Sequence, residues 1–202
     1  RQMKTAMQAI LLSCIFICAA ATANPKITPG ADLPVTRSGY PKTFERWGEA
    51  GVARINKAIK NGAQTVAANS KCDKVEIVAL SDGRSSPPNN IVLFADCRNG
   101  ERFYLTEAQA NQRAATASQS QKLAGISKGD AIVKCRDAIR ANLAVPSSFN
   151  PATLSTQAIS NKTTGTWLVT MKFKSKNRMG QELPGNAECS VSGDGPPQVT
   201  IN

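Results

Sequence analysis

Trp167-Leu168-Val169-Thr170-Met171-Lys172-Phe173-Lys174 is the stretch that decides the fold of the second half of this chain. Trp167, Val169, Met171 and Phe173 alternate with Leu168, Thr170, Lys172 and Lys174. Successive side chains on a strand point to opposite faces, so this run has one buried face and one mostly wet face. The buried face needs an apolar partner, and the sequence just upstream supplies one. Ser127 reads as a helix cap, and Ile132, Cys135, Ala138, Ile139 and Leu143 then line one side of a helix that Pro146 stops. Residues 153–159 read as a further strand and 160–165 as a turn. Residues 187–191 return as a strand, and 198–201 add an edge.

The first half repeats this plan. Residues 24–42 are rich in Pro and Gly and read as an irregular lead-in. A helix is expected over 43–68, because Phe44, Trp47, Val52, Ile55, Ile59, Ala63 and Val66 recur at mostly three- or four-residue spacing. Strands are expected at 75–80, 91–97 and 102–105, with a turn-rich loop at 81–90 and an Asn99-Gly100 turn. Thr106 with Gln109 three residues on fits a capping box. The polar, low-complexity run 115–121 has nothing obvious to bury, so the boundary between halves is expected there. The organisation expected is therefore a leader at 1–23, a lead-in at 24–42, an N-terminal unit at 43–111, a linker at 112–126 and a C-terminal unit at 127–202. The fold class is α+β: two small units, each a helix on an antiparallel sheet.

The leader is read from composition. Lys4 precedes an apolar run from Ala9 to Ala21 that ends in Ala21-Thr22-Ala23. A basic head, a short apolar middle and an A-x-A tail make a secretory signal peptide. The run is too short to span a bilayer, which needs roughly 20 apolar residues, and the mature chain contains no transmembrane segment by this reading. The expected location is outside the cytoplasm, periplasmic or secreted. Cys14 and Cys18 leave with the leader, and Cys72, Cys97, Cys135 and Cys189 remain. An even number of cysteines in an exported chain reads as disulfides. Four cysteines allow three pairings. Spacing favours Cys72–Cys97 and Cys135–Cys189, one crosslink in each unit, and folding the 81–90 loop as a hairpin brings the first pair to the same end.

The second half resembles a recurrent type of small, uncharacterised exported bacterial and phage domain. The resemblance rests on Cys135 in its helix, Pro146-Ser147-Ser148, the turn Lys176-Asn177-Arg178-Met179-Gly180, and Ala187-Glu188-Cys189. An aromatic residue usually stands before the turn glycine in that pattern, and this chain has Met179 there. The resemblance covers about 127–191. It implies an α+β fold and brings no activity with it.

The chain contains no histidine. This excludes Ser-His-Asp and Cys-His catalysis and any His-ligated zinc. No Ser-x-x-Lys occurs over 24–202, which removes a histidine-free nucleophile motif. Paired carboxylates suffice for glycoside cleavage, and the acids considered are Glu45 with Glu49, Asp73 with Glu76, and Asp96. Asp82-Gly83 and Gly193-Asp194-Gly195 read as turns, because neither has the ligand spacing of a calcium loop. No cofactor or metal is implied.

The net charge is +11, and it falls to +9 once Arg1 and Lys4 leave with the leader. Such a chain favours anionic partners. Lys172, Lys174, Lys176 and Arg178 occupy every second position on the wet face of the decisive strand, a row of cations about 7 Å apart if the strand runs that far. The expected function is a non-catalytic exported binding protein. It offers this row to an anionic macromolecule or protein of the envelope, with the loop carrying Asp82 and Arg84 as a second interaction element. Nucleic acid is less favoured, because its readers interleave exposed aromatics for stacking. An inhibitor of an exported enzyme and a carboxylate-based envelope glycan hydrolase stand as alternatives.

Overall fold

Helix α1, Pro41–Ala67, forms the backbone of the first unit. The computed structural model describes residues 24–202, so the expected leader lies outside the described residues. α1 buries Trp47, Val52, Ile55, Ile59, Ala63 and Val66, the stripe expected from the sequence. Gly48 interrupts it with a positive φ of 63°, which sets the first two turns at an angle to the rest. The stripe packs on a three-stranded antiparallel sheet in the order β1 (Val75–Leu80), β2 (Val92–Cys97), β3 (Arg102–Thr106). Leu93, Ala95, Phe103 and Leu105 point into this core.

The lead-in is more than an irregular approach. Thr28 N–H donates to Val75 O at 2.9 Å, Val75 N–H to Lys26 O at 2.8 Å and Val78 N–H to Ala31 O at 2.7 Å. The segment thereby covers part of the outer edge of β1, whose backbone groups would otherwise be open to another chain. A disulfide joins Cys72 to Cys97 with Cα atoms 5.5 Å apart, the pairing expected from the hairpin.

After the short helices α2 (Glu107–Gln112) and α3 (Gln119–Ala124), the second unit sets α4 (Lys128–Ala141) on a five-stranded antiparallel sheet. β6 (Thr166–Lys176) pairs along its whole length with β7 (Glu182–Ser192), and β8 (Gln198–Ile201) follows β7 as the edge. The other side of β6 is shared by the two-residue strand β4 (Asn150–Pro151) and by β5 (Gln157–Asn161). Val169, Met171, Phe173, Ala187, Cys189 and Val191 meet Ala131, Cys135 and Ile139 of α4 in a core separate from the first. Ser127 caps α4 together with Asp130.

Three expectations are corrected. A strand was expected over 153–159, but Thr153–Ser155 is a 3-10 turn and β5 begins only at Gln157. The hydroxyls of Ser155 and Thr156 bond back to Ala152 O at 3.0 and 3.4 Å, a local alternative that competes with a sheet ladder. Next, the 112–126 segment is not an empty linker. It carries helix α3, Gln119–Ala124, with its own capping box from Ser118 and Gln121. Ser118 and Gln119 are 0% and 1% exposed. Ser120 donates to the Glu101 carboxylate of the first unit at 2.6 and 2.7 Å, while Gln119 lies against Gly165 of the second.

Finally, the structure carries one crosslink where two were expected. Cys135 and Cys189 are both buried and are free thiols. Their thiols are in hydrogen-bonding contact between α4 and β7, inside the second core. The hydrogen bond with Cys189 and burial together push the Cys135 thiol up, and the same bond draws the Cys189 thiol down.

Candidate anion-binding face

The alternation of β6 places Val169, Met171 and Phe173 in the core and Lys172, Lys174 and Lys176 on the opposite, exposed face. Among the described residues no α-helix covers that face: α4 packs on the other side, within the second core. Across the ladder Lys172 stands opposite Asn186, Lys174 opposite Pro184 and Lys176 opposite Glu182. Lys174 Nζ lies 3.1 Å from Glu182 Oε1. Lys172, Lys176 and Arg178 form no ion pair among the described residues.

Arg178 does not continue the row, which corrects the expectation of four aligned cations. β6 ends at Lys176. Asn177 then accepts the backbone N–H groups of Met179 at 2.9 Å and of Gln181 at 3.0 Å on its side-chain oxygen. That side-chain bonding closes a turn and takes Arg178 out of the pleat. Three lysines remain in line, about 7 Å apart.

Two depressions adjoin Lys172. One, of about 410 Å³, is lined by Asn150, Lys172, Lys174 and Asn186 among others. The second, of about 240 Å³, is lined by Ser155, Gln157, Thr170, Lys172, Asn186 and Glu188 among others. Lys172 and Asn186 belong to both. These two hollows exist because β4 and β5 share one side of β6 with a 3-10 turn between them. The sequence reading singled out the lysines but not Asn150, Gln157 or Asn186. Their place follows from cross-strand register, and alternation within one strand carries no signal of it.

The loop at 81–90 is held firmly. Asp82 pairs with Arg46 at 3.4 Å. Arg84 lies over the Tyr104 ring at 3.9 Å and pairs with Asp194 at 3.7 Å. Asp194, in the β7–β8 turn, also pairs with Lys122 at 2.7 Å. These groups border a cleft of about 470 Å³ where the two units meet. Asp82 and Arg84 are thus engaged within the molecule.

Of the acids considered for catalysis, Glu49, Asp73, Glu76 and Asp96 each have partners of their own. Glu49 pairs with Arg37. Asp73 accepts the N–H groups of Lys74 at 2.6 Å and Asn99 at 3.1 Å. Glu76 pairs with Arg98 at 3.1 Å. Asp96 grips Arg102 with both oxygens, at 2.5 and 2.6 Å, and holds that guanidinium further up in pKa. A further fork joins Arg54 to Glu107 at 3.0 and 2.5 Å. The hydrogen bond from Arg54 holds the Glu107 carboxyl below its ordinary range.

Among the described residues, no helix is long and apolar enough to cross a membrane, and no group of three or more His, Cys, Asp or Glu is placed to hold a metal ion. No family model, no curated protein and no solved structure matches the chain.

Proposed function

We propose that this protein is an exported, non-catalytic binding protein that takes an anionic macromolecule on the open face of the second sheet. The observation that carries this reading is Lys172, Lys174 and Lys176 standing in line on an exposed face, two of them without a carboxylate partner among the described residues. A polyanion that docks there releases its condensed counterions, so affinity falls as salt rises. The net charge of +11 favours the encounter over long range. The leader at 1–23 is the basis for placing the work outside the cytoplasm.

The test is binding to dextran sulfate across a salt series, for the parent and for the triple variant Lys172→Gln, Lys174→Gln, Lys176→Gln. Each lysine that neutralises an anionic group contributes slightly under one to the slope of log affinity against log salt. The triple variant should therefore flatten the slope by about 2 to 3. An unchanged slope rejects this face.

A further inference from the structure

We infer that the partner of this face is an acidic polysaccharide, a glycan with carboxylate groups, rather than a nucleic acid. The inference rests on the reading of the basic face above and adds the chemistry of the ligand. Lys172 does not stand on a plain cationic surface. The hollows on either side of it are lined by Asn150, Gln157 and Asn186, together with Ser155 and Thr170. None of the three amide side chains makes a hydrogen bond among the described residues. An amide offers both a donor and an acceptor, as a sugar hydroxyl does, so free amides around a lysine match a ring that carries hydroxyls beside a carboxylate.

The same face opposes the chemistry of a nucleic acid. Bases bind by stacking on exposed aromatic side chains. Phe173 is buried in the core, with Phe149 packed against it at a ring separation of 5.4 Å. Trp167 is turned inward, its Nε1–H donating to Ile126 O at 3.0 Å. Glu188, opposite Thr170, and Glu182, opposite Lys176, share the face with the lysines. Glu182 is taken up by Lys174, and the ring hydroxyls of a glycan can donate to Glu188.

The far end of the face adds an apolar step. Ile159 and Leu168 are cross-strand partners and are 65% and 46% exposed. Such a pair can lie under the C–H face of a sugar ring and exclude water from it.

The experiment measures binding of galacturonate oligomers, their methyl esters and oligothymidylate of equal charge at one low ionic strength. The proteins compared are the parent, the triple lysine variant and the double variant Gln157→Ala, Asn186→Ala. The galacturonate oligomer should bind the parent at least tenfold more tightly than either the ester or oligothymidylate. The double variant should lose about tenfold in galacturonate affinity while keeping the salt slope of the parent. Equal or tighter binding of oligothymidylate, or an unaffected double variant, would each overturn the glycan inference while leaving the basic-face reading intact. Equal binding of the uncharged ester, or a triple lysine variant that binds every probe like the parent, would overturn both. All substitutions are on exposed or edge positions, and an unchanged thermal midpoint shows that the fold is retained.

Discussion

The two units share a plan, a helix on an antiparallel sheet, but they differ in how their cations are arranged and in how their sulfurs are held. In the first unit Arg54, Arg98 and Arg102 are each bound to a carboxylate of the same unit, and Cys72 is bonded to Cys97. In the second, Lys172 and Lys176 have no carboxylate partner among the described residues, and Cys135 and Cys189 are free. Lys57, Lys60, Lys71 and Lys74 of the first unit also form no ion pair among the described residues, but they are spread over α1 and the approach to β1. What sets the second unit apart is alignment: Lys172, Lys174 and Lys176 stand in one row on one strand face, and a row of cations is where an extended partner of opposite charge has most to gain.

The sulfurs offer the largest effect by which to test this contrast. Replacing Cys72 and Cys97 together by alanine should lower the unfolding free energy by about 2–5 kcal/mol, the usual loss for a native crosslink. The same change at Cys135 and Cys189 removes only two buried sulfurs and should cost about 1–2 kcal/mol. Urea denaturation of both variants under identical conditions decides it, and equal losses would break the contrast.

Next in size is the joint between the units. Gly165 has φ +68°, and a Cβ there would sit 2.7 Å from Gln119 Oε1 and 2.9 Å from Gln119 O. Gly165→Ala should cost about 1–3 kcal/mol through backbone strain and the clash. A loss of this size means that α3 binds the halves into one cooperative structure. An alanine variant with parent stability would mean that α3 is an easily displaced tether.

The smallest effect is on the acid side. Glu107 in the first unit and Asp130 in the second both have carboxyl pKa values held down, by the hydrogen bond from Arg54 and by bonding with Ser127 respectively. A carboxyl depressed in the folded state adds stability above its unfolded pKa, and that stability is lost as pH falls through the folded value. Stability should therefore decline from about pH 4.5 downward. Glu107→Gln and Asp130→Asn should each flatten that decline. Glu107→Gln should flatten it more, because Arg54 also holds the 81–90 loop through Pro88 O at 3.0 Å. An acid limb with the parent slope in both variants would contradict these assignments.

Much of the fold is legible in the sequence where local chemistry sets it. The strands at 75–80 and 198–201 fall where alternation and turn residues put them, and the caps at Thr106 and Ser127 form as their spacing implies. The Cys72–Cys97 link follows from a hairpin that returns the chain to its start. α3 carries a local signal of its own, Ser118 with Gln121 three residues on, the same spacing as Thr106 with Gln109; what the polar run 115–121 does not reveal is that Ser118 and Gln119 are buried. The role of the lead-in is not legible, because its bonds to β1 span more than forty residues. For the site, the lysine row shows in the period of β6. The excess reach given to Arg178 comes from reading that period past Asn177, a residue whose side chain closes turns. The hollows beside Lys172 depend on strands brought together only by folding.

The most direct test of the account is the salt dependence of dextran sulfate binding by the parent, the triple lysine variant and Arg54→Gln. The account predicts that the slope in the triple variant falls by about 2 to 3 while Arg54→Gln keeps the parent slope. A parent slope that survives the loss of all three lysines, or one that flattens equally with Arg54→Gln, would contradict it.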